Sequence, residues 1–300
     1  MHLSPIARFA EAALRTYSRV APTERGGYRL ARLVRRFRAP DARRDVFTTP
    51  DGLTLDLDLA CYPDCSMAYG LYELDTARVI KRLLRPGDHF VDGGANIGYF
   101  TLLAAKLVGP TGRVDAFEPL PDNRARLEAN LHRNGLADRV RVHPAALSDA
   151  AGTATIHRFA GDEGNHGTAS LFAGDGAVVA RSISVPTVRM DEALSDTTPA
   201  LIKLDVEGAE SLAIAGMTGL LRAQRPPAVI LEHNPVTWRR AGAALSEPVE
   251  RLLATRDDWV VRVIAFGLPR IDPKDTAAWA RLRQINILVQ SPAGAHPVLR

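Results

Sequence analysis

Acidic residues standing at the ends of short apolar runs are the groups in this sequence best placed to do chemistry. In FVDGGANIGYF, residues 90–100, Asp92 precedes Gly93, Gly94, Asn96 and Gly98, and a helical period opens directly afterwards. The spacing D-x-G-x-N-x-G does not suit a phosphate. A carboxylate there repels one, no G-x-x-x-x-G-K-[ST] run supplies a lysine, and the dinucleotide pattern G-x-G-x-x-G fails at Asn96 and Tyr99. Glycines at this point let a ligand approach the backbone, and the helix expected from about Ile97 offers its amino terminus to an anionic group. A ligand carrying both a cationic amino group and a carboxylate fits the turn formed by Asp92, Gly94, Ala95, Asn96 and Gly98.

Glu118 ends the next apolar run, in DAFEP, 24 residues beyond Gly94. An acid at that place can accept hydrogen bonds from a ribose diol. Two successive turns of this kind imply an amino acid joined to a nucleoside, and S-adenosyl-L-methionine is the evident candidate.

More acids stand in ALIKLDVEGAE and VILEHNP. With a period of two, Lys203 and Asp205 share one face of a strand, and Glu232 and Asn234 share one face of the next. If the strands adjoin, Lys203, Asp205 and Glu232 meet at the carboxyl edge of the sheet. Two readings stay open. One is an ion-paired structural network, because buried charges need partners. The other has Asp205 and Glu232, with His233 close by, approaching an acceptor as general base or as Mg²⁺ ligands, although the residues give no dedicated metal cage. Glu207 and Glu210 are expected to open a helix and serve its dipole. Asn165, His166 and Ser170 lie in a long loop, as surface residues or as acceptor contacts. His143, directly before Pro144, is expected to be structural. Cys61 and Cys65 lack a second ligand pair at zinc spacing and are expected to be free thiols.

The elements that must position these residues alternate. Strands are expected near 89–93, 113–118, 139–146, 200–206, 227–233, 259–266 and 285–290, and helices near 97–108, 121–134, 207–223 and 246–255. Short apolar strands separated by helical periods indicate an α/β fold with a mostly parallel sheet covered on both faces, whose ligands bind beyond the carboxyl ends of the strands. Residues 147–199 interrupt the alternation with a loop and added strands. Asp51-Gly52 between alternating leucines predicts a β-hairpin over 46–60, and a helix is expected over 73–84. The sequence divides into a basic helical amino-terminal extension, 1–45, and a single domain, 46–300.

The formal net charge is +4. Residues 1–45 hold eleven arginines against four acids, so the extension carries +7 and the remainder is mildly acidic. Nucleic-acid binders usually carry their excess on the binding domain, which argues against a nucleic-acid partner. The 3–4 spacing of Ile6, Phe9, Ala10, Ala13, Leu14 and Tyr17, and of Leu30, Leu33, Val34 and Phe37, gives two amphipathic helices. They are expected to pack on the main domain with arginines toward water; peripheral contact with an anionic membrane or acidic partner is the alternative. No apolar run reaches the ~18 residues of a membrane helix and no signal-peptide pattern opens the chain, so a cytoplasmic location is expected.

YELDTARVIKRLLRPGDHFVDGGANIGYFTLLAA, GRVDAFEPLPDNRARLEANLHRN, AALSD, GNHGTASL and VPTVRMDEAL…ALIKLDVEGAESLAIAG followed by VILEHNP together resemble the FkbM family of S-adenosylmethionine-dependent methyltransferases, over roughly residues 46–240. Gly93 departs from the resemblance, standing where a larger apolar residue is expected. The resemblance implies a Rossmann-like class I methyltransferase fold, a seven-stranded mostly parallel sheet with its last strand antiparallel and helices on both faces. It also implies O-methylation of a sugar or secondary metabolite. It assigns Asp92, Gly94, Asn96 and Gly98 to the methionine part, Glu118 to the ribose, and Ala146, Leu147 and Ser148 to the neighbourhood of adenine. A non-catalytic S-adenosylmethionine-binding module is the alternative; a nicotinamide-dependent oxidoreductase is disfavoured by Asn96 and Tyr99.

Overall fold

Continuous apolar runs build strands buried on both faces, and the central strands of the main sheet follow that rule, whereas the edge strand at residues 140–143 is only half-buried. The computed structural model describes residues 5–20, 26–37, 44–160, 169–173, 178–265, 267–272 and 274–299. Helices α1 (Pro5–Val20) and α2 (Gly27–Val34) precede the hairpin β1 (Arg44–Thr48) and β2 (Thr54–Asp58), and α3 (Asp64–Ala68) and α4 (Leu74–Leu83) lead to the sheet. There follow β3 (His89–Gly93), α5 (Tyr99–Val108), β4 (Arg113–Phe117), α6 (Pro121–Arg133) and β5 (Val140–His143). Strands β6 (Ala146–Leu147), β7 (Gly152–Phe159) and β8 (Val179–Val188) and helix α7 (Met190–Ala193) form the inserted region. The chain continues through β9 (Leu201–Leu204), α8 (Glu210–Ala215), α9 (Thr218–Leu221), β10 (Ala228–His233), α10 (Pro235–Arg240), α11 (Glu247–Leu253), β11 (Val260–Val263), α12 (Thr276–Arg281) and β12 (Ile285–Gln290).

The sheet order is β11-β12-β10-β9-β3-β4-β5. β3, β4, β5, β9 and β10 run parallel, and β12, last in the chain, is antiparallel to both neighbours. Alternate residues face two apolar clusters. Phe90, Leu201, Ile230 and Leu288 pack with α4, α5 and α6, whereas Val91, Ile202, Leu231 and Val289 pack with α8, α9 and α11. Both faces are therefore covered, as the resemblance implies.

The hairpin forms around Gly52 in the left-handed region (φ 71°). Leu53, Leu55, Leu57 and Leu59 point into the core. Side-chain amides dock it on α6: Asn134 exchanges hydrogen bonds with the Thr54 backbone (2.8 and 2.7 Å), and Asn130 Oδ1 accepts from Asp56 N (3.0 Å).

Some boundaries differ from the sequence expectation, each for a local reason. The third strand, expected over 139–146, breaks at Pro144, which has no N–H for a ladder. β5 stays in the main sheet, while β6 pairs with β8 in a three-stranded sheet ordered β6-β8-β7. The helix expected from 207 starts at Glu210, because Glu207 (φ 52°) and Gly208 (φ 102°) take left-handed turns first. It is split at Gly216, where a Cβ would lie 2.0 Å from Ser148 O. Helices α3, α7, α10 and α12 lie outside the expected set.

In α1, Leu14 and Ser18 face inward with Glu11, which accepts from Tyr69 OH at 3.2 Å, and Arg15 donates to Thr48 O. Ile6, Phe9 and Val20, from 65% to 77% exposed, face outward with Leu33 of α2. The outward face is thus not only the arginine face expected. No helix among the described residues is long and apolar enough to cross a membrane.

Candidate active site

A cavity of about 370 Å³ opens beyond the carboxyl ends of β3, β4, β9 and β10. Its floor is the turn after β3. Gly94 N and Ala95 N both donate to Phe117 O (3.0 Å), and Asp205 N donates to Gly93 O (3.0 Å), so the turn is stitched to the ends of β4 and β9. Only glycine fits at 94: φ is +83°, and a Cβ would stand 1.9 Å from Asp205 O. At Gly93 the space a side chain would need is filled by Leu147 Cδ1 and Leu204 Cδ2, 2.8 and 2.9 Å from the Cβ position. Two neighbours thus occupy the volume left by that departure from the family pattern.

Asp92 is 1% exposed. Its Oδ2 accepts from Thr101 Oγ1 at 2.6 Å, and its Oδ1 is buried without a partner. Burial pushes its pKa up, against the pull of Lys203 and Thr101. The Asn96 side-chain oxygen is also buried and unpartnered, on a residue in the left-handed region (φ 51°). These two oxygens border the same cavity, and a buried acceptor lacking a donor has forfeited its hydration. Two such acceptors are suited to the donors of a ligand ammonium.

Glu118 is fixed by the backbone: Oε2 accepts from Asn96 N and Oε1 from Leu120 N, both at 2.8 Å. Burial raises its pKa to about 7, opposed by those two N–H groups, the Asn123 side chain and Arg124. With three donors already on the carboxylate, one of its roughly four acceptor sites is left for a ribose hydroxyl. Ala146 and Leu147 line the cavity near Glu118.

The opposite wall is acidic. β9 and β10 are adjacent and in register, Lys203 beside Ile230, which brings Lys203, Asp205 and Glu232 together as expected. Lys203 Nζ donates to Asp205 Oδ2 at 2.8 Å and lies 4.8 Å from the Phe100 ring centroid. Burial opposes its charge, but Asp205, Glu73 and Asp92 outweigh burial and hold the ammonium protonated well above the ordinary lysine range. Glu232 is 7% exposed; its Oε1 accepts from Gln284 Nε2 at 2.6 Å and its Oε2 has no partner. Burial, then Asp205 and Glu207, drive its pKa well up.

Two residues at this wall escape a reading of the sequence. Glu207, expected at a helix start, instead projects toward Asp205 and Glu232, and one oxygen of each of the three lies within 4.8 Å of the others. Glu73, on the turn before α4, lines the cavity and accepts from Asn286 Nδ2 at 2.6 Å. The helix-opening role falls to Glu210 alone, which accepts from Val206 N, Gly208 N and Trp238 Nε1.

Other expected site residues stand away from the cavity. Gly98 (φ +93°) caps α5 against Leu127. The Ser148 hydroxyl turns to Asp149 Oδ1 (3.1 Å) and its N–H to Val188 O. His233 faces the other side of β10, packed on Trp238 and Trp279 with Nδ1 3.3 Å from Arg283 O, and burial lowers its pKa. Ser170 Oγ donates to Glu207 O at 2.6 Å and so ties the inserted loop to the acidic wall. Asn165 and His166 lie outside the described residues. His143 is structural: it bonds Asp115 Oδ1 at 2.6 Å and stacks on Phe117. Cys61 and Cys65 are buried and free.

The strand order and the cavity at the carboxyl edge define a class I methyltransferase fold. Residues 92–259, more than half of the chain, match the methyltransferase FkbM domain, and the chain belongs to that family. A 69-residue stretch is 51% identical to 31-O-demethyl-FK506 methyltransferase FkbM of Streptomyces tacrolimicus, covering 23% of this chain and 25% of that protein. Over 196 residues the chain is 30% identical to AMB antimetabolite synthetase AmbE of Pseudomonas aeruginosa, which is 54% of this chain and 9% of that one. The chain thus spans a quarter or less of the length of these two curated relatives. Among solved structures, methyltransferase FkbM from Methylobacillus flagellatus KT superposes with a TM-score of 0.45 at 17% identity, over 79% of this chain and 56% of that chain.

Proposed function

We propose that this protein transfers the methyl group of S-adenosyl-L-methionine to a hydroxyl oxygen of a sugar or secondary metabolite. The observation that carries the reading is a single cavity in which two buried, unpartnered acceptors, Asp92 Oδ1 and Asn96 Oδ1, border Glu118 and face an acidic wall. Asp92 suits the amino group, the amino terminus of α5 the carboxylate, Glu118 the ribose diol, and Leu147 and Ala146 the flat apolar base. The pairing of two acids with a Gly94 turn too tight for any side chain fits a zwitterionic nucleoside better than a pyrophosphate. The name of the Streptomyces relative, 31-O-demethyl-FK506 methyltransferase, supports oxygen as the acceptor atom.

Bound in this way, S-adenosyl-L-methionine supplies an electrophilic methyl group: the acceptor oxygen's lone pair forms the new C–O bond as the C–S bond breaks and its electron pair passes to sulfur. The chain's part is alignment, whose upper range is about 7–11 kcal/mol, and removal of the hydroxyl proton. Glu232 is the base: its Oε2 lines the cavity without a partner, and burial, then Asp205 and Glu207, raise its affinity for a proton. Gln284 fixes its other oxygen, and Lys203 fixes Asp205 beside it.

Screening hydroxylated and glycosylated metabolites for gain of an isotope-labelled methyl group tests the reading. Asp205→Asn combined with Glu232→Gln is expected to lower turnover about 10²–10⁴-fold and to leave affinity for S-adenosylhomocysteine unchanged. Labelled product from the double variant at the wild-type rate would remove these acids from the chemistry. No transfer to any hydroxyl compound, with cofactor binding intact, would favour the non-catalytic binding module.

Cofactor affinity should depend on pH through Glu118. Its ionised form accepts the diol, and the group titrates at about 7 in the free protein, so affinity is highest above that pH. It should fall as pH drops through 7, approaching about tenfold per unit. Calorimetry at pH 6 and pH 8 should show the difference, and Glu118→Gln should flatten it. Glu118→Ala should weaken binding by about 1.5–3 kcal/mol, roughly 10- to 150-fold. Unchanged affinity would mean the ribose lies elsewhere.

A further inference from the structure

We propose that Asp205, Glu207 and Glu232 bind one hard divalent cation, Mg²⁺ or Mn²⁺, at the acceptor end of the cavity. Its catalytic role rests on the O-methyl transfer reading above; its existence does not.

The geometry comes first. One carboxylate oxygen from each residue lies within 4.8 Å of the other two. Oxygens bound at about 2.1 Å from an octahedral Mg²⁺ stand roughly 3 Å apart as neighbours and about 4.2 Å apart across the ion. Small rotations of three side chains close that gap. Three protein oxygens leave the other coordination positions to water and to the acceptor oxygen, whose proton the cation would make more acidic; in the cation-loaded chain this replaces the free-base role of Glu232.

The second observation is an orphaned atom. Glu232 Oε2 is buried and unpartnered although its residue is 7% exposed and Gln284 holds the other oxygen. A carboxylate oxygen hidden from both water and donors is costly, and a cation ligated at this point removes that cost.

Charge gives the third. Among the described residues, six carboxylates line the cavity, from Glu73, Asp92, Glu118, Asp205, Glu207 and Glu232, against two cations, Lys203 and Arg240. Lys203 is engaged by Asp205, and the Arg240 guanidinium lies 4.2 Å above the Phe159 ring. The methyl donor adds only one net positive charge. A divalent ion brings the site close to neutrality.

The backbone at Glu207 is shaped for this position. Its φ of 52° turns the chain out of β9 before the helix begins, and Ser170 Oγ holds its carbonyl. A non-glycine residue held left-handed is strained and persists where its surroundings demand it.

The test uses the full chain, freed of metal with a chelator and titrated with Mn²⁺ while free Mn²⁺ is followed by electron paramagnetic resonance. One Mn²⁺ per chain is expected, displaced by excess Mg²⁺. Glu207→Gln should weaken it about tenfold or more, with S-adenosylhomocysteine affinity in calorimetry retained as the sign of an intact fold. Glu232→Gln, isosteric and buried, repeats the test should Glu207→Gln fail to fold. A wild-type chain that leaves all Mn²⁺ free at millimolar concentration overturns the proposal, as does wild-type Mn²⁺ affinity in the folded variants. Absence of S-adenosylhomocysteine binding with Mn²⁺ bound would instead defeat the methyl-transfer reading and leave the cation site standing.

Discussion

Gly94→Ala is expected to abolish cofactor binding and to lower stability by about 2–5 kcal/mol, the sum of a left-handed residue at ~1–2 and overpacking at ~1–3. The added Cβ would meet Asp205 O at 1.9 Å and Asp205 C at 2.9 Å. Neither backbone can withdraw easily. Asp205 N is bonded to Gly93 O, and Gly94 N to Phe117 O, so relief at one point breaks the end of β3, β4 or β9. Because the same turn presents Asp92 and Asn96, the fault reaches the ligand site directly. Gly26→Ala is the control: φ is +78° and ψ −5° there, left-handed, but nothing lies within 4 Å of its Cβ position, so only the conformational part of about 1–2 kcal/mol is expected. Thermal unfolding of both variants with calorimetry of S-adenosylhomocysteine decides it; wild-type affinity in Gly94→Ala would dissociate the turn from the ligand.

Lys203→Met should destabilise the protein by about 3–5 kcal/mol at pH 8, the usual loss when one partner of a buried ion pair is removed. Lys203 is 1% exposed and answers Asp205, Glu73 and Asp92. Its pKa in the folded state lies above the unfolded value, so its contribution is complete below the ordinary lysine pKa and is lost only as pH rises through the folded one. Burial, the first cause in each, lifts the pKa of Glu73 and Asp92 despite the lysine. Once it is gone both acids should take up protons more readily, and the penalty should shrink as pH falls toward 5. Urea unfolding at pH 5 and pH 8 provides the comparison. Equal stability of variant and wild type at pH 8 would mean that solvent reaches the acids and that the network is not buried as described.

The parallel sheet was legible because burial on both faces writes its central strands as largely apolar runs, and the hairpin because Asp51-Gly52 sits between alternating leucines. Asp92 and Glu118 were legible for a related reason: each ends such a run. Direction beyond a strand end is another matter. Glu207 follows Asp205 by two positions, and which way it points depends on a positive φ at Glu207 itself, which no periodicity reports. Glu73 joins the acidic wall through Asn286, more than two hundred residues distant in sequence, and Lys203. His233 and Ser148 teach the opposite lesson. Alternation along β10 already turns His233 away once Glu232 faces the cavity, and the Ser148 side chain likewise leaves the side taken by Leu147. In α1 the spacing specified an amphipathic helix but not which face docks; Glu11, by meeting Tyr69, turned the Ile6 and Phe9 side outward.

Calorimetric titration of the wild-type chain with S-adenosylhomocysteine at pH 8 bears most directly on the cavity's purpose. Saturable binding of one molecule per chain, with a dissociation constant below about 100 µM, is the expected result. No heat above dilution at about 1 mM ligand, a concentration that would half-saturate even a −4 kcal/mol site, would contradict it.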